Sequence, residues 1–399
     1  MISVEQALSL LFQYKKDFGT EEVDLLQSAG RILAQNVVAD RDFPPYHRVT
    51  MDGIAIKKEA FDTGNVSFYI ENIQAAGTPQ LNLQQQNNCI EVMTGAVLPN
   101  NTDAVIPYED CEITDNIATI RLLQIKHLQN IHQQGSDAKK GDVLLKKGIK
   151  ITPSHIAILA TVGYNKVLVL KLPAIAICST GNELVNIDEI PQSHQIRMSN
   201  SYMLAAALQE ENILPALFHL PDDKEIMTSK LSELKQQFDV IILSGAVSKG
   251  KYDFIPAVLE SLGMKTIFHR VAQKPGKPVL FGVFENDKMV FGLPGNPVSS
   301  LVCYHLYVKR WLQDCLQINH LKVTVALAEN VQFTPRLSYH LLISLYSENG
   351  TFWAKPLQGT NSGDIPSLIN AEAIITLPSE KEAFAKGDIF EIQSWLTHF

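Results

Sequence analysis

Hydrophobic spacing changes character along this chain, and each change marks a structural boundary. Ser3 followed three residues later by Gln6 has the form of a capping box, and Ala7, Leu10, Leu11 and Tyr14 then recur at helical spacing. A second short helix is predicted over 21–29, ended by Gly30, with an extended segment over 34–39. From residue 54 the period shortens. Alternating runs at 66–70, 89–93, 104–108 and 118–122, separated by turn signals, predict a small β-rich domain. A glycine-bounded loop at 134–142 precedes a strand over 143–145, and Thr152-Pro153 opens a helix that Gly163 stops.

Pro173 begins a different regime. Continuous apolar runs at 174–178, 214–220, 239–243 and 288–291 alternate with helical patterns starting near 201, 224, 255 and 298. Such alternation predicts a doubly wound α/β domain with a parallel sheet, whose ligands bind beyond the carboxyl ends of the strands. After residue 320 the pattern returns to strands at 323–327, 339–346, 351–355, 373–377 and 389–392, with a hairpin turn at 347–350. The expected division is therefore four-part. Residues 1–46 and 143–172 form a small linking domain, whose N-terminal helix packs on the α/β domain, and residues 47–142 form an inserted β-rich domain. Residues 173–318 form the α/β domain, and residues 319–399 a C-terminal β-domain.

Composition narrows the functional classes. The formal net charge of −8 argues against a nucleic-acid or anionic-membrane surface, while leaving room for a local basic pocket. No apolar run reaches the ~18 residues of a membrane span, and the start of the chain lacks the features of a secretory signal. Five cysteines with no CxxC pair suit a reducing, cytoplasmic compartment. The histidines show no HExxH spacing, so any metal is expected to be a hard cation held by carboxylates and phosphate.

The candidate chemistry gathers at the α/β rim. Two strands run into glycine-rich turns, Ser244-Gly245 onward and Gly292-Leu-Pro294-Gly-Asn-Pro297, each followed by a helix. Such turns present bare backbone N–H groups and a helix N-terminus to an anion. Gly and Pro also merely punctuate sheets, but here Glu183, Asp222, Asp223 and Asp253 share the rim with Lys249, Lys251, Arg270, Lys274 and Lys277. Carboxylates and cations beside phosphate-cradling turns are the parts of a Mg²⁺-assisted reaction at a phosphate.

The ordered motifs resemble the molybdopterin molybdenumtransferase family, which includes bacterial MoeA and the C-terminal domain of gephyrin. They are MDG at 51–53, TGA at 94–96, GSD at 135–137, STGNEL at 179, SN at 199, PDD at 221, SGAVSKGKYD at 244, KPGKP at 274 and GLPGNPVS at 292. The run PLQGTNSG at 356–363 also fits. The resemblance spans essentially the whole chain. It implies a C-terminal β-barrel beside the domains read above. It also implies molybdenum cofactor biosynthesis, in which molybdate is inserted into adenylylated molybdopterin with release of AMP and a requirement for Mg²⁺ or another divalent cation. A homodimer sharing its site between subunits is implied, with contacts to the adenylyltransferase and to acceptor molybdoenzymes.

Carried over by motif, Asp52, Thr94, Asp137, Glu183, Asp222 and Asp253 match catalytic positions, with Glu183, Asp222 and Asp253 the metal candidates. Gly181, Ser244, Gly245, Ser248, Lys249, Arg270, Lys274, Lys277, Pro294, Pro297 and Ser362 are the candidate substrate contacts. The chain departs from the pattern at Ala246, where a second glycine is usual, at Arg270, where lysine is common, and at Lys249, which replaces a small apolar residue. None of these removes a necessary group. An adenylyltransferase built on the same α/β domain is disfavoured by the accessory β-domains and the MDG loop. A non-catalytic scaffold is disfavoured by the expected absence of a fused domain or long linker.

Overall fold

The computed structural model describes residues 1–245, 254–318, 322–357, 363 and 365–395. Of the residues singled out above, Ala246, Ser248, Lys249, Lys251, Asp253 and Ser362 lie outside the described residues. The chain divides into two compact units: residues 1–34, 148–152 and 167–399 form one, and residues 35–147 with 153–166 the other.

The centre of the first unit is a six-stranded sheet in the order Ala216–Leu220, Ile175–Thr180, Val240–Ser244, Lys288–Leu293, Leu280–Phe284, Lys265–His269. Its first four strands run parallel. Alternation of side chains along each strand sorts the apolar residues onto two faces. Ile175, Ile177, Val240 and Ile242 meet Leu204, Leu208, Val302 and Trp311 on one face. Ala176, Cys178, Ile241 and Leu243 meet Met227, Leu231, Val258 and Leu259 on the other. Helices covering both faces make the sheet doubly wound, as the apolar runs predict. The edge differs from that expectation: Leu280–Phe284 and Lys265–His269 add antiparallel strands. Gly282 and the prolines before Leu280 mask this pair in the sequence, where the segment reads as connection.

The helix Val4–Leu11 carries the Ser3/Gln6 capping box and buries Val4, Ala7 and Leu11 in the α/β core. The helix expected over 21–29 does not form. Thr20–Asp24 is a strand paired with Lys166–Leu170, followed by a single 3₁₀ turn at Leu25–Ser28. Alternate exposure along Thr20–Asp24 is a period-two pattern too short to separate from a helical one in sequence.

The C-terminal strands close on themselves. Ser338–Glu348 pairs with Thr351–Pro356 on one side and Ala373–Leu377 on the other, and Thr324–Leu327 and Ile389–Ser394 complete a five-stranded barrel. Two residues of the α/β region, Gln273–Lys274, add to the barrel by pairing parallel with Ser338 and Tyr339.

The second unit holds another six-stranded sheet, ordered Ala104–Pro107, Gly53–Ile56, Asn88–Val92, Ser67–Gln74, Ile117–Ile120, Cys111–Thr114. Its second strand starts at Gly53, where a Cβ would sit 1.9 Å from the Ile106 carbonyl oxygen. Only glycine lets the two backbones approach that closely.

Candidate active site

Register delivers the first group of site residues. Ser179 lies opposite Ser244, and Ser244 opposite Leu293, so the two glycine-rich turns leave the sheet side by side at the carboxyl ends of their strands. The Gly245 N–H donates to the Leu293 carbonyl at 3.1 Å. Gly245 has φ of 101°, and a Cβ there would stand 2.7 Å from Thr180 Oγ1. Backbone angle and packing both demand glycine at this point. Asn200 then ties the turns together, its Nδ2 donating to Ser244 Oγ at 3.0 Å and to the Gly295 carbonyl at 2.7 Å.

The KPGKP loop is fixed from beneath by Gln273, which is 1% exposed. Its Nε2 donates to the carbonyls of Pro275 and Gly276 at 3.2 and 3.1 Å. Its Oε1 accepts from the Tyr307 hydroxyl and from His340 Nε2, the latter at 3.4 Å. An amide oxygen carries no proton, so the His340 ring holds its own at Nε2, and Nδ1 accepts from the Thr376 hydroxyl at 3.0 Å. Burial pushes His340 down to about 3, so it stays neutral there. On the loop itself, Lys274 Nζ lies 5.7 Å from the Phe333 ring centroid and 5.9 Å from that of Tyr339. The two rings stack at 4.3 Å, so a barrel face holds the ammonium by cation–π attraction.

These parts enclose a cleft of about 1350 Å³ between the α/β strand ends and the barrel. Of the residues singled out in the sequence, Glu183, Ser244, Gly245, Lys274, Lys277, Pro294 and Pro297 line it. So do Arg197, Asn200, Gln273, Tyr339 and His340, which sequence reasoning gave no role. The SN motif was a signal for Asn200. Tyr339 and His340 carried none, because they read as alternating positions of a β-strand.

Glu183 and Asp222 sit on neighbouring loops, since Thr180 pairs with Leu220 in register. The loops exchange two hydrogen bonds: Asn182 N–H to Asp222 Oδ2 at 3.3 Å, and Asp222 N–H to Asn182 Oδ1 at 3.0 Å. Gly181 lies under the Glu183 carboxylate, where a Cβ would meet Oε2 at 2.4 Å. Gly181 and Asp222 are not among the residues that line the cleft. Nor is Arg270, at φ of 75° with its N–H donating to Val279 O at 2.9 Å. Among the described residues no cluster of three or more His, Cys, Asp or Glu is arranged to hold a metal. Glu183 and Asp222 put two carboxylates on neighbouring loops, and one or two carboxylates beside substrate phosphate are a common donor set for a hard cation.

In the second unit the structure gathers Asp52, Thr94 and Asp137 around the short strand Arg48–Val49. One side of that strand meets residues 95–97, and the other pairs with Ile131 and His132. Asp52 Oδ1 accepts from the Thr94 backbone N–H at 2.6 Å and from its hydroxyl at 2.8 Å. These two bonds, the backbone one foremost, hold the Asp52 carboxyl below the usual carboxylate range. Asp137 is held low chiefly by a bond from His132. Tyr108 donates its hydroxyl to Glu91, and burial with that bond raises its pKa.

Three family models match the chain. The MoeA N-terminal region (domain I and II) matches residues 2–163, the "Probable molybdopterin binding domain" residues 176–314, and the MoeA C-terminal region (domain IV) residues 324–395. The molybdopterin molybdenumtransferase of Synechocystis sp. is 38% identical over 99% of this chain and 100% of that protein. The molybdopterin molybdenumtransferase of Bacillus subtilis is 31% identical over 98% of this chain and 93% of that protein. A crystal structure of the molybdopterin biosynthesis MoeA protein of Pyrococcus horikoshii has a TM-score of 0.82 at 28% identity, covering 99% of this chain and 100% of that one. A doubly wound domain whose strand-end turns open on a cleft beside a barrel, in a chain that also carries a separate β-rich unit, defines a multidomain enzyme of the molybdopterin-binding class. The chain belongs to the molybdopterin molybdenumtransferase family, whose work is molybdenum cofactor biosynthesis.

Proposed function

We propose that this chain inserts molybdenum from molybdate into adenylylated molybdopterin, with hydrolysis of the adenylate and release of AMP. The observation that carries this reading is the cleft, where two abutting glycine turns and the lysines of the KPGKP loop surround space for a phosphate-bearing ligand. Lys274 and Lys277 attract the anionic phosphates and molybdate, Lys274 from a fixed place over the Phe333–Tyr339 stack. Gly245, having no side chain, leaves the backbone open to close approach. Pro294 and Pro297 fix the opposite wall and bring no N–H of their own.

Glu183 and Asp222 would hold Mg²⁺ as oxygen ligands, and bound there it would neutralise charge on the phosphates. Asp52 and Asp137, both kept ionised, are acceptors able to orient water or a substrate proton. The resemblance further supports a homodimer with its site shared between subunits, working in the cytoplasm beside the adenylyltransferase that supplies its substrate and the enzymes that accept its product. No described helix is long and apolar enough to cross a membrane, and all five cysteines are buried and unpaired, which suits a reducing compartment.

The test is to incubate the protein with adenylylated molybdopterin, molybdate and Mg²⁺ and measure AMP. Release that needs molybdate and is lost in Glu183→Ala is expected, and no AMP from the native protein refutes the reading. Mixing inactive Asp52→Ala with inactive Glu183→Ala subunits should restore part of the activity. Failure to do so after proven subunit exchange refutes the shared site.

A further inference from the structure

Asp137 is the end of a short polar chain whose direction the bonding dictates. Arg48 Nη2 lies 3.0 Å from His132 Nδ1, and His132 Nε2 lies 2.8 Å from Asp137 Oδ1. Arg48 and His132 face each other across the pairing of their two-residue strands, so the backbone sets the first contact. A guanidinium has donors only, and an ionised carboxylate acceptors only. The ring between them must therefore accept at Nδ1 and donate from Nε2. It is the neutral Nε2–H tautomer, since an imidazolium could not accept from Arg48.

The arrangement does more than hold the loop. The Asp137 N–H and the Ala138 N–H both donate to the Phe43 carbonyl, at 2.9 and 3.2 Å, which already fixes the backbone. Ser136 Oγ adds a bond to the same Asp137 Oδ1 at 3.1 Å. No donor among the described residues reaches Asp137 Oδ2. Two side-chain donors on one oxygen lock the carboxylate's rotation and leave the other oxygen exposed. The far side of the Arg48–Val49 strand leads to Thr94 and its bond to Asp52.

We infer that His132 is a positioning residue for the transfer reaction: Arg48 fixes its Nε2–H tautomer, and the ring turns Asp137 so that Oδ2 meets the substrate. The inference rests on Asp137 belonging to the active site. It assigns work to two residues, Arg48 and His132, that the motifs leave unassigned.

Two measurements test it on the full-length protein. Nitrogen-15 NMR of the histidine side chains should show His132 near neutral pH with Nε2 protonated and Nδ1 bare, and Arg48→Ala should release it to a tautomer mixture. In AMP-release kinetics His132→Ala should lower kcat about tenfold while leaving Tm unchanged, as expected when an acting group is only misaimed. His132→Gln, whose carboxamide can accept from Arg48 and donate to Asp137, should recover most of the loss. In an Asp137→Ala background, His132→Ala should add nothing. Native kcat in His132→Ala, additive losses in the double variant, or a bare Nε2 in the NMR spectrum would each overturn the inference while Asp137→Ala still shows a lowered but measurable kcat. An Asp137→Ala enzyme with native kcat would instead remove Asp137 from the active site, and the inference with it.

Discussion

Thr94 meets Asp52 with both of its donors, the backbone N–H at 2.6 Å and the hydroxyl at 2.8 Å, on the same carboxylate oxygen. The MDG and TGA motifs, about forty positions apart in sequence, are two ends of one contact. Gly53 sets the strand that presents Asp52, because its backbone lies against Ile106 where no Cβ fits. The motif's glycine is thus explained by packing, and its aspartate accepts the two bonds from Thr94.

Removing the hydroxyl alone separates the two bonds. In Thr94→Val the backbone bond persists and the Asp52 carboxyl should move up toward its ordinary range without reaching it, read by carbon-13 NMR titration. AMP release should fall while Tm stays put, because the pair is exposed and adds little to the fold. An Asp52 titration identical to native would show that the hydroxyl bond is not made.

The carboxylates on the α/β rim give a second expectation. Glu183→Gln and Asp222→Asn should each weaken the apparent Mg²⁺ affinity about tenfold or more, with Tm within about a degree of native. Asp222→Asn keeps an oxygen that can accept from the Asn182 N–H, so the loop pairing should survive the change. Mg²⁺ titrations of AMP release unchanged in both variants would remove these residues as ligands.

Lys274 should depend on the barrel for its place. Replacing its aromatic partner in Phe333→Leu removes part of a cation–π contact of roughly 0.5–1 kcal/mol, or about a two- to fivefold rise in KM at low salt. Lys274→Met should raise KM further, and both effects should shrink as ionic strength rises. A salt-independent KM in native protein would mean that Lys274 does not meet an anion in the ground state.

The parts legible in sequence were those whose cause is local. Apolar runs between glycine turns announced the parallel strands, and Ser3 with Gln6 announced the first helix, because capping and burial act over a few residues. The antiparallel edge at Leu280–Phe284 and the barrel's capture of Gln273–Lys274 were not legible, since both depend on partners distant in the chain. The same division holds in the cleft. Glycines, prolines and lysines there stood out by motif, whereas Tyr339 and His340 look like ordinary strand residues until the barrel turns them toward Lys274 and Gln273.

His340 also makes the fold sensitive to acid. It is buried and neutral in the folded protein, with its pKa pushed from 6.5 to about 3, whereas an unfolded chain protonates it near its ordinary value. Between these limits the unfolded state binds the extra proton, so stability falls as pH drops, by up to about 1.4 kcal/mol per pH unit for one such group. His305, pushed by burial to about 3, adds a second contribution of the same sign. The lowered carboxylates Asp52 and Asp137 act below their ordinary value of 3.8, so above about pH 5 the histidines dominate this pair of effects. Urea unfolding at about pH 7 and about pH 5 should show the loss, and His340→Gln should reduce it by roughly half, since one of two buried histidines remains. His340→Gln will lower stability at pH 7 as well, because Gln273 and Thr376 lose their ring partner, so the quantity to compare is the slope with pH. An unchanged slope would show that His340 is protonated in the folded state, and that the bond it donates to Gln273 does not require a neutral ring.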